Sequence, residues 1–427
     1  MGYQSGYLNY YGSGNTYLGF ETGILTNIGE TFDNTFIGDS AGRSNQAGQN
    51  TFIGSNSGYS NSTGAKNTFV GYKTGYYNTE GSSNLFIGYQ SGYCNTTGNS
   101  NIFIGCESGK LNTYGTNNSF IGNWAGVNNT TGIRNTFIGD LSGTLNTLGS
   151  ENSFIGYQSG YANSTGDNNI FIGKESGFYN TYGSYNTFIG HKSGYCNTTG
   201  DNNTFIGRDS GGCNTTGALN VFIGESSGFL NTKGRCNAFI GFNSGYFNTA
   251  DDNTFIGGYA GSLNTTGSGN TFVGSKSGLN NTTGASNTFV GDLSGCSNTY
   301  GDFNIFMGKS SGFFNTIGEC NTFIGNISGQ SNTTGGSNTF IGYGSGQSNS
   351  TGTNNVIIGS NANVTTGSVS CSIIIGSGAT GATSGWMALG SATYPLALTG
   401  TPAPGTITNY IQVSVNGTAY ALPLYDL

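Results

Sequence analysis

The chain has 427 residues, 78 of them Gly, only 7% charged, and a formal net charge of −7. That length holds two or three ordinary domains or one long repetitive one, and the absence of any basic cluster excludes a partner bound through a run of phosphates, so no nucleic acid. No stretch approaches the ~20 apolar residues of a membrane helix, which argues against membrane insertion; the 28 Phe and 26 Tyr argue against disorder, because aromatic side chains bury enough apolar area to offset the entropy of ordering.

The first residues, "GYQSGYLNYYGSGN" from Gly2 to Asn15, already read as the middle of a repeated word. They carry neither a basic n-region nor an apolar h-region. This predicts no cleaved signal peptide, and a chain assembled inside a host cell and released with a particle, or exported by another route. It also predicts an N-terminal end that continues onto a partner protein or another copy. From there an NTFIG-like word returns, closing at Gly19, Gly38, Gly54, Gly71, Gly88, Gly105, Gly122 and onward to Gly342, Gly359 and Gly376. Nearly every step is 17 residues; the first is longer, two steps of 16 end at Gly54 and Gly257, and a last step of 14 runs from Gly376 to Gly390. A period this short suits one coil of a β-solenoid and falls below helical repeats or propeller blades. We expect an all-β, parallel β-solenoid (β-roll) of about 23 coils, roughly 110 Å long at the spacing of paired strands.

Written once, the unit is NTFIGxxSGxxNTTGxx. Phe occupies one column without a break from Phe36, Phe52, Phe69, Phe86 and Phe103 to Phe340, and the next column is Ile, relieved by Val70, Val273, Val290 and Met307. Neighbours in a strand point to opposite faces, so two apolar columns side by side predict a strand covered on both sides. One cover is the coil's own interior. The other is expected to be a second chain, with the Phe ladder as the inter-chain core of a homotrimeric rod. Alternatively, the Gly after Ile turns both side chains inward at a corner, which would allow a monomer. The Asn columns (Asn34, Asn50, Asn67, Asn84 and Asn45, Asn61, Asn78, Asn95) read as corner and ladder residues, since stacked amides bond along the stack and Asn tolerates positive φ.

The variable position after Ser-Gly carries rings in many coils: Tyr59, Tyr76, Tyr93, Tyr161, Phe178, Tyr195, Phe229, Tyr246 and Phe313, interrupted by Lys110, Thr144 and Gln330. These form a candidate surface aromatic column, either packing coil on coil or stacking on sugar faces. Of the 8 cysteines, Cys94, Cys196 and Cys213 share a column that elsewhere holds Leu or Phe; only Cys196 and Cys213 fall in adjacent coils, where a disulfide could close. NTT and NST words create sequons at Asn95, Asn129, Asn163, Asn197 and Asn332, which also read as plain corner residues.

Catalytic chemistry is not visible. His191 is the sole histidine, so neither an imidazole-based triad nor a His-rich metal site can be built. Asp39, Glu107, Glu175 and Asp209 do not stack into a column, and the Gly-Gly-x-Gly-x-Asp nonapeptide of calcium solenoids is missing. We therefore expect no enzyme, no cofactor and no metal.

All four prolines, Pro395, Pro402, Pro404 and Pro423, follow the last coil. The chain thus divides into a solenoid, residues 1–390, and a C-terminal cap, residues 391–427, in which Asn416 and Gly417 mark a hairpin that would cover an open solenoid end. The words "NTFIGxxSG", and still more "SIIIGSGATGATSGWMALGSAT" from Ser372 to Thr393, resemble the head repeats of YadA-type trimeric autotransporter adhesins and the related β-roll repeats of bacteriophage and large-virus fibres. The resemblance covers roughly residues 15–393. It implies a three-chain rod that binds host receptors, glycans or matrix. The 17-residue coil departs from the adhesin's shorter unit, and neither a secretion signal nor a C-terminal membrane barrel is visible, which favours a virion or other extracellular fibre over an autotransporter. Two other readings compete: a self-assembling filament subunit, and an ice-binding solenoid using Thr35, Thr51 and Thr68 with Thr96, Thr130 and Thr198, columns interrupted at Ile102, Ile170, Val221 and Ala238.

Overall fold

The computed structural model describes residues 2–9, 12–24, 32–381, 383–385 and 387–389, together with the backbone of Tyr410–Val415 and Thr418–Pro423. Among these residues there is no helix. Three-residue strands, from Thr16–Leu18 to Met387–Leu389, form one 23-stranded sheet. Each strand pairs in parallel with the next one along the chain and in register, Thr35 on Thr51, Phe36 on Phe52, Ile37 on Ile53. The chain is thus a parallel β-solenoid, and at the usual strand spacing its 23 rungs extend roughly 105 Å.

Glycine sets the shape of each coil at two places. The Gly that closes NTFIG ends the strand at a φ near +135°; a Cβ on Gly173 would lie 2.6 Å from the carbonyl oxygen of Gly190 in the next coil. The Gly of Ser-Gly, also at positive φ, lies flat on the interior ring: a Cβ on Gly177 would sit 2.5 Å from a ring carbon of Phe171. No other residue allows the backbone to close so tightly round a phenyl group.

The interior is one ring wide. Phe36 to Phe340 are fully buried and stack rung on rung, as Phe154 on Phe171 with centroids 4.8 Å apart and planes 5° from parallel. Carbon contact optima are shorter than that spacing, so the rings are inclined and offset, the favoured arrangement for parallel aromatics. Most of the rest of the interior is polar and paired, with Ala41, Ala125 and Ala260 taking the Ser place in their coils. Asn163 Nδ2 donates to Asn146 Oδ1 at 2.7 Å and to Gly166 O at 3.0 Å. In the other Asn column the backbone N–H of Asn169 donates to Asn152 Oδ1 at 2.9 Å, and Asn169 Nδ2 to Gly183 O at 2.8 Å. Ser176 Oγ donates to Phe188 O at 3.0 Å. Buried amides are tolerable only when satisfied in this way.

The 16-residue coils shed their residue at the same corner. Asn45 and Asn248 bond to the carbonyls of Ala47 and Ala250, two residues on, where other coils use the Gly three residues on.

One expectation is overturned here. Phe36, Phe52, Phe69, Phe86, Phe103 and Phe340 are not an inter-chain core: each is fully covered by its own chain. Strand alternation sends Phe inward, where the Ser-Gly corner makes room for it. Ile faces out, so the corner that would turn both side chains inward is not formed either. Near the C-terminus, Tyr410–Val415 and Thr418–Pro423 pair antiparallel with Val415 opposite Thr418; the turn expected at Asn416 and Gly417 lies outside the described residues. The cap role assigned to residues 391–427 otherwise falls outside the described residues, as does the boundary at 390.

Candidate functional site

The strand's outward face presents two columns. The Ile column is apolar at every rung from Ile37 to Ile375, and most of its members leave more than a third of their surface open, Ile155 38% and Met307 41%. Two residues back, the first strand position also faces out and is mixed: Thr35, Thr51 and Thr68 give way to Leu85, Ile102 and Ser119. This Thr column is therefore broken. The second Thr column is engaged internally, Thr96 Oγ1 donating to Thr113 O at 3.0 Å and Thr198 Oγ1 to Thr215 O at 3.0 Å.

The aromatic column stands on the corner after Ser-Gly, half-buried, and resolves into separate ladders. Tyr59, Tyr76 and Tyr93 stack with centroids 4.9 and 5.4 Å apart; Tyr161, Phe178 and Tyr195 stack at 4.9 and 5.3 Å; Phe229 and Tyr246 stack at 5.3 Å. Inside a ladder the ring faces cover one another, so a ligand meets ring edges. Tyr77 and Tyr179 stand edge-on against their ladders. Burial, the bond to Tyr77 and the charges of its neighbours push the Tyr93 phenol up to about 12. Burial also raises Tyr76 and Tyr195.

Between the first two ladders the column holds Lys110, Val127 and Thr144, and there the surface is notched. The notch, about 350 Å³, is lined by Glu107, Lys110, Leu111, Trp124, Val127, Asn128, Thr144, Leu145 and Tyr161. Val127 and Thr144 are buried and make its floor; Trp124, Leu111 and Leu145 are exposed and make its walls. Glu107 Oε1 and Lys110 Nζ form an ion pair at 3.1 Å. Trp124, Leu111 and Leu145 were not singled out by sequence reading. The signal that would have found them is the break in the aromatic column at three successive coils.

Cys196 and Cys213 are free thiols in adjacent coils, hydrogen-bonded to each other, so the disulfide considered above is not formed. Burial raises both thiols, as it does those of Cys94 and Cys296. His191 is exposed, and no group of three potential metal-binding side chains occurs among the described residues. The sequon residues Asn95, Asn129, Asn163, Asn197 and Asn332 are fully buried within the amide ladder, where a folded coil leaves no room for a glycan. The chain matches no protein-family model and no curated protein.

Proposed function

We propose that the protein is a non-enzymatic structural and adhesive fibre: a rod displayed on a virion or other extracellular assembly, its copies joined side by side as a homotrimer, its surface meeting receptors or glycans of a host. The observation that carries this reading is the unbroken outward Ile column. Over twenty-one rungs, eleven of which leave 36–41% of the side chain open while the others are half-buried, the stripe adds up to on the order of several hundred to 1,000 Å² of apolar surface, beyond the few hundred Å² that a monomer ordinarily exposes. It is also about what one partner contributes to a stable interface. Placing three such stripes on a common axis would hide the Ile columns and leave the mixed Thr column at the edge, where polar residues are tolerated. The likeness of the repeat words to fibre and head repeats supports the setting.

The test is the mass of the purified chain by light scattering, with negative-stain images of the same peak. Three copies in a rod about 105 Å long are expected. The double variant Ile155→Lys and Ile172→Lys, which places charges on the stripe and leaves the Phe stack untouched, should shift the mass towards a single chain at unchanged circular dichroism. A monomeric wild type would remove the association. Open-ended polymers would instead make the chain a self-assembling filament subunit, the reading favoured by a sheet whose edge strands can pair with a further copy.

A further inference from the structure

We propose that the notch between Lys110 and Tyr161 is a binding site for one neutral pyranose unit of a glycan. The proposal gives the adhesive part of the fibre reading a location, and it rests on that reading for its biological setting.

Three independent features of the notch converge. First, Tyr161 ends a ladder: it stacks on Phe178 alone and turns its other face towards Thr144, which has no ring to cover it, and of the ladder ends it is the one that lines the notch. Second, Trp124 is 48% exposed on the adjoining wall and holds a φ of +59°. The corresponding place in neighbouring coils is taken by Gln90, Glu107, Leu141 and Gln158, all in the same left-handed region. The ladder fixes that backbone in every coil and does not call for an indole, so a large ring left exposed there is open to a role outside folding. Third, the polar groups come as a neutral set. The Glu107 carboxylate and the Lys110 ammonium compensate each other, and Asn128, whose Nδ2 is engaged with Thr144 O at 2.9 Å, keeps Oδ1 as an acceptor.

This combination selects the ligand. Indole and phenol faces suit the C–H face of a sugar ring. An acceptor and a donor within 3.1 Å of each other suit adjacent hydroxyls, each of which donates and accepts. The compensated charge disfavours an anionic or cationic ligand, and a purely apolar peptide would leave the ion pair desolvated without partners. At about 350 Å³ the space is at the small end of ligand pockets, enough for one ring and little more.

The test uses the full-length chain, with free neutral hexoses and N-acetylhexosamines as probes, read by saturation-transfer NMR and titration, and the same sugars immobilised on a surface. Binding of at least one neutral pyranose is expected, and Trp124→Ala should weaken it at least tenfold. Val127→Tyr is the sharper variant: it supplies a ring to the column, fills the notch, and should abolish binding without lowering the melting temperature. Tyr343→Ala, an exposed ring remote from the notch, should change nothing. No sugar signal from rods that form normally, equal binding by wild type and Val127→Tyr, or binding confined to charged sugars or to peptides would each overturn the proposal. The first of these results leaves the rod itself standing, so the two readings fail separately. If Val127→Tyr does not fold, Trp124→Ala decides alone.

Discussion

Ile327 occupies the second position after NTFIG with φ at +52°, a region that crowds a branched Cβ and costs an L-residue roughly 1–2 kcal/mol. The ladder imposes this conformation on every coil whichever residue stands there, from Lys73 to Tyr259. Asn visits the same region at lower cost, so Ile327→Asn should stabilise the rod by about 1 kcal/mol. Denaturant unfolding would show it as a higher midpoint at constant slope, and a lower midpoint would mean that the Ile327 side chain makes packing contacts worth more than the strain. The same logic separates residues dictated by the backbone from residues that are not. Gly177 cannot change because a phenyl ring lies against its Cα, whereas Trp124 is free to change as far as the fold is concerned.

At the scale of the coil, periodicity alone revealed the strands, the corners and both amide ladders, because a column that never varies must meet the same environment at every rung. It did not reveal which of two adjacent apolar columns faces in. Alternation assigns one to each side and is silent about the choice. The deciding signal lies in how each column varies: the outward one accepts Val70, Val273, Val290 and Met307, while the inward one keeps Phe from Phe36 to Phe340, changing at the first rung to Tyr17 and at the last three to Ile357, Ile374 and Ala388. The notch was legible only as a gap in a column, and its walls belong to other columns. The ring ladders also carry a pH dependence. Tyr93 ionises near 10 when unfolded and at about 12 in the ladder. Its contribution to stability is therefore complete below pH 10 and declines as pH rises from there to about 12. Tyr93→Phe should flatten that part of the decline in unfolding midpoints measured from pH 9 upward, and an identical profile for wild type and variant would place the tyrosinate effect elsewhere.

For the whole molecule, the dominant fact is that every bond of a coil runs within itself or to the coil on either side, so cohesion is a sum of nearly equal neighbour terms. Removing whole units should leave the joint intact. Deleting residues 270–354, five complete units, brings the Asn253 coil onto the Asn355 coil with every column in phase. The shortened rod is expected to keep its cross-section and circular dichroism and to lose roughly 24 Å in negative-stain length. A deletion four residues shorter, which throws Phe onto the corner positions, should fail to fold. A cooperative collapse of both variants would mean that the rod folds as one indivisible body.

The register of one coil on the next thus makes the chain a ruler with a single graduation. Gain or loss of seventeen codons moves whatever is carried at one end closer to or farther from the other by one fixed increment. Reach can be retuned by slippage between near-identical stretches of the gene, while the contact chemistry written on the corners is inherited unchanged.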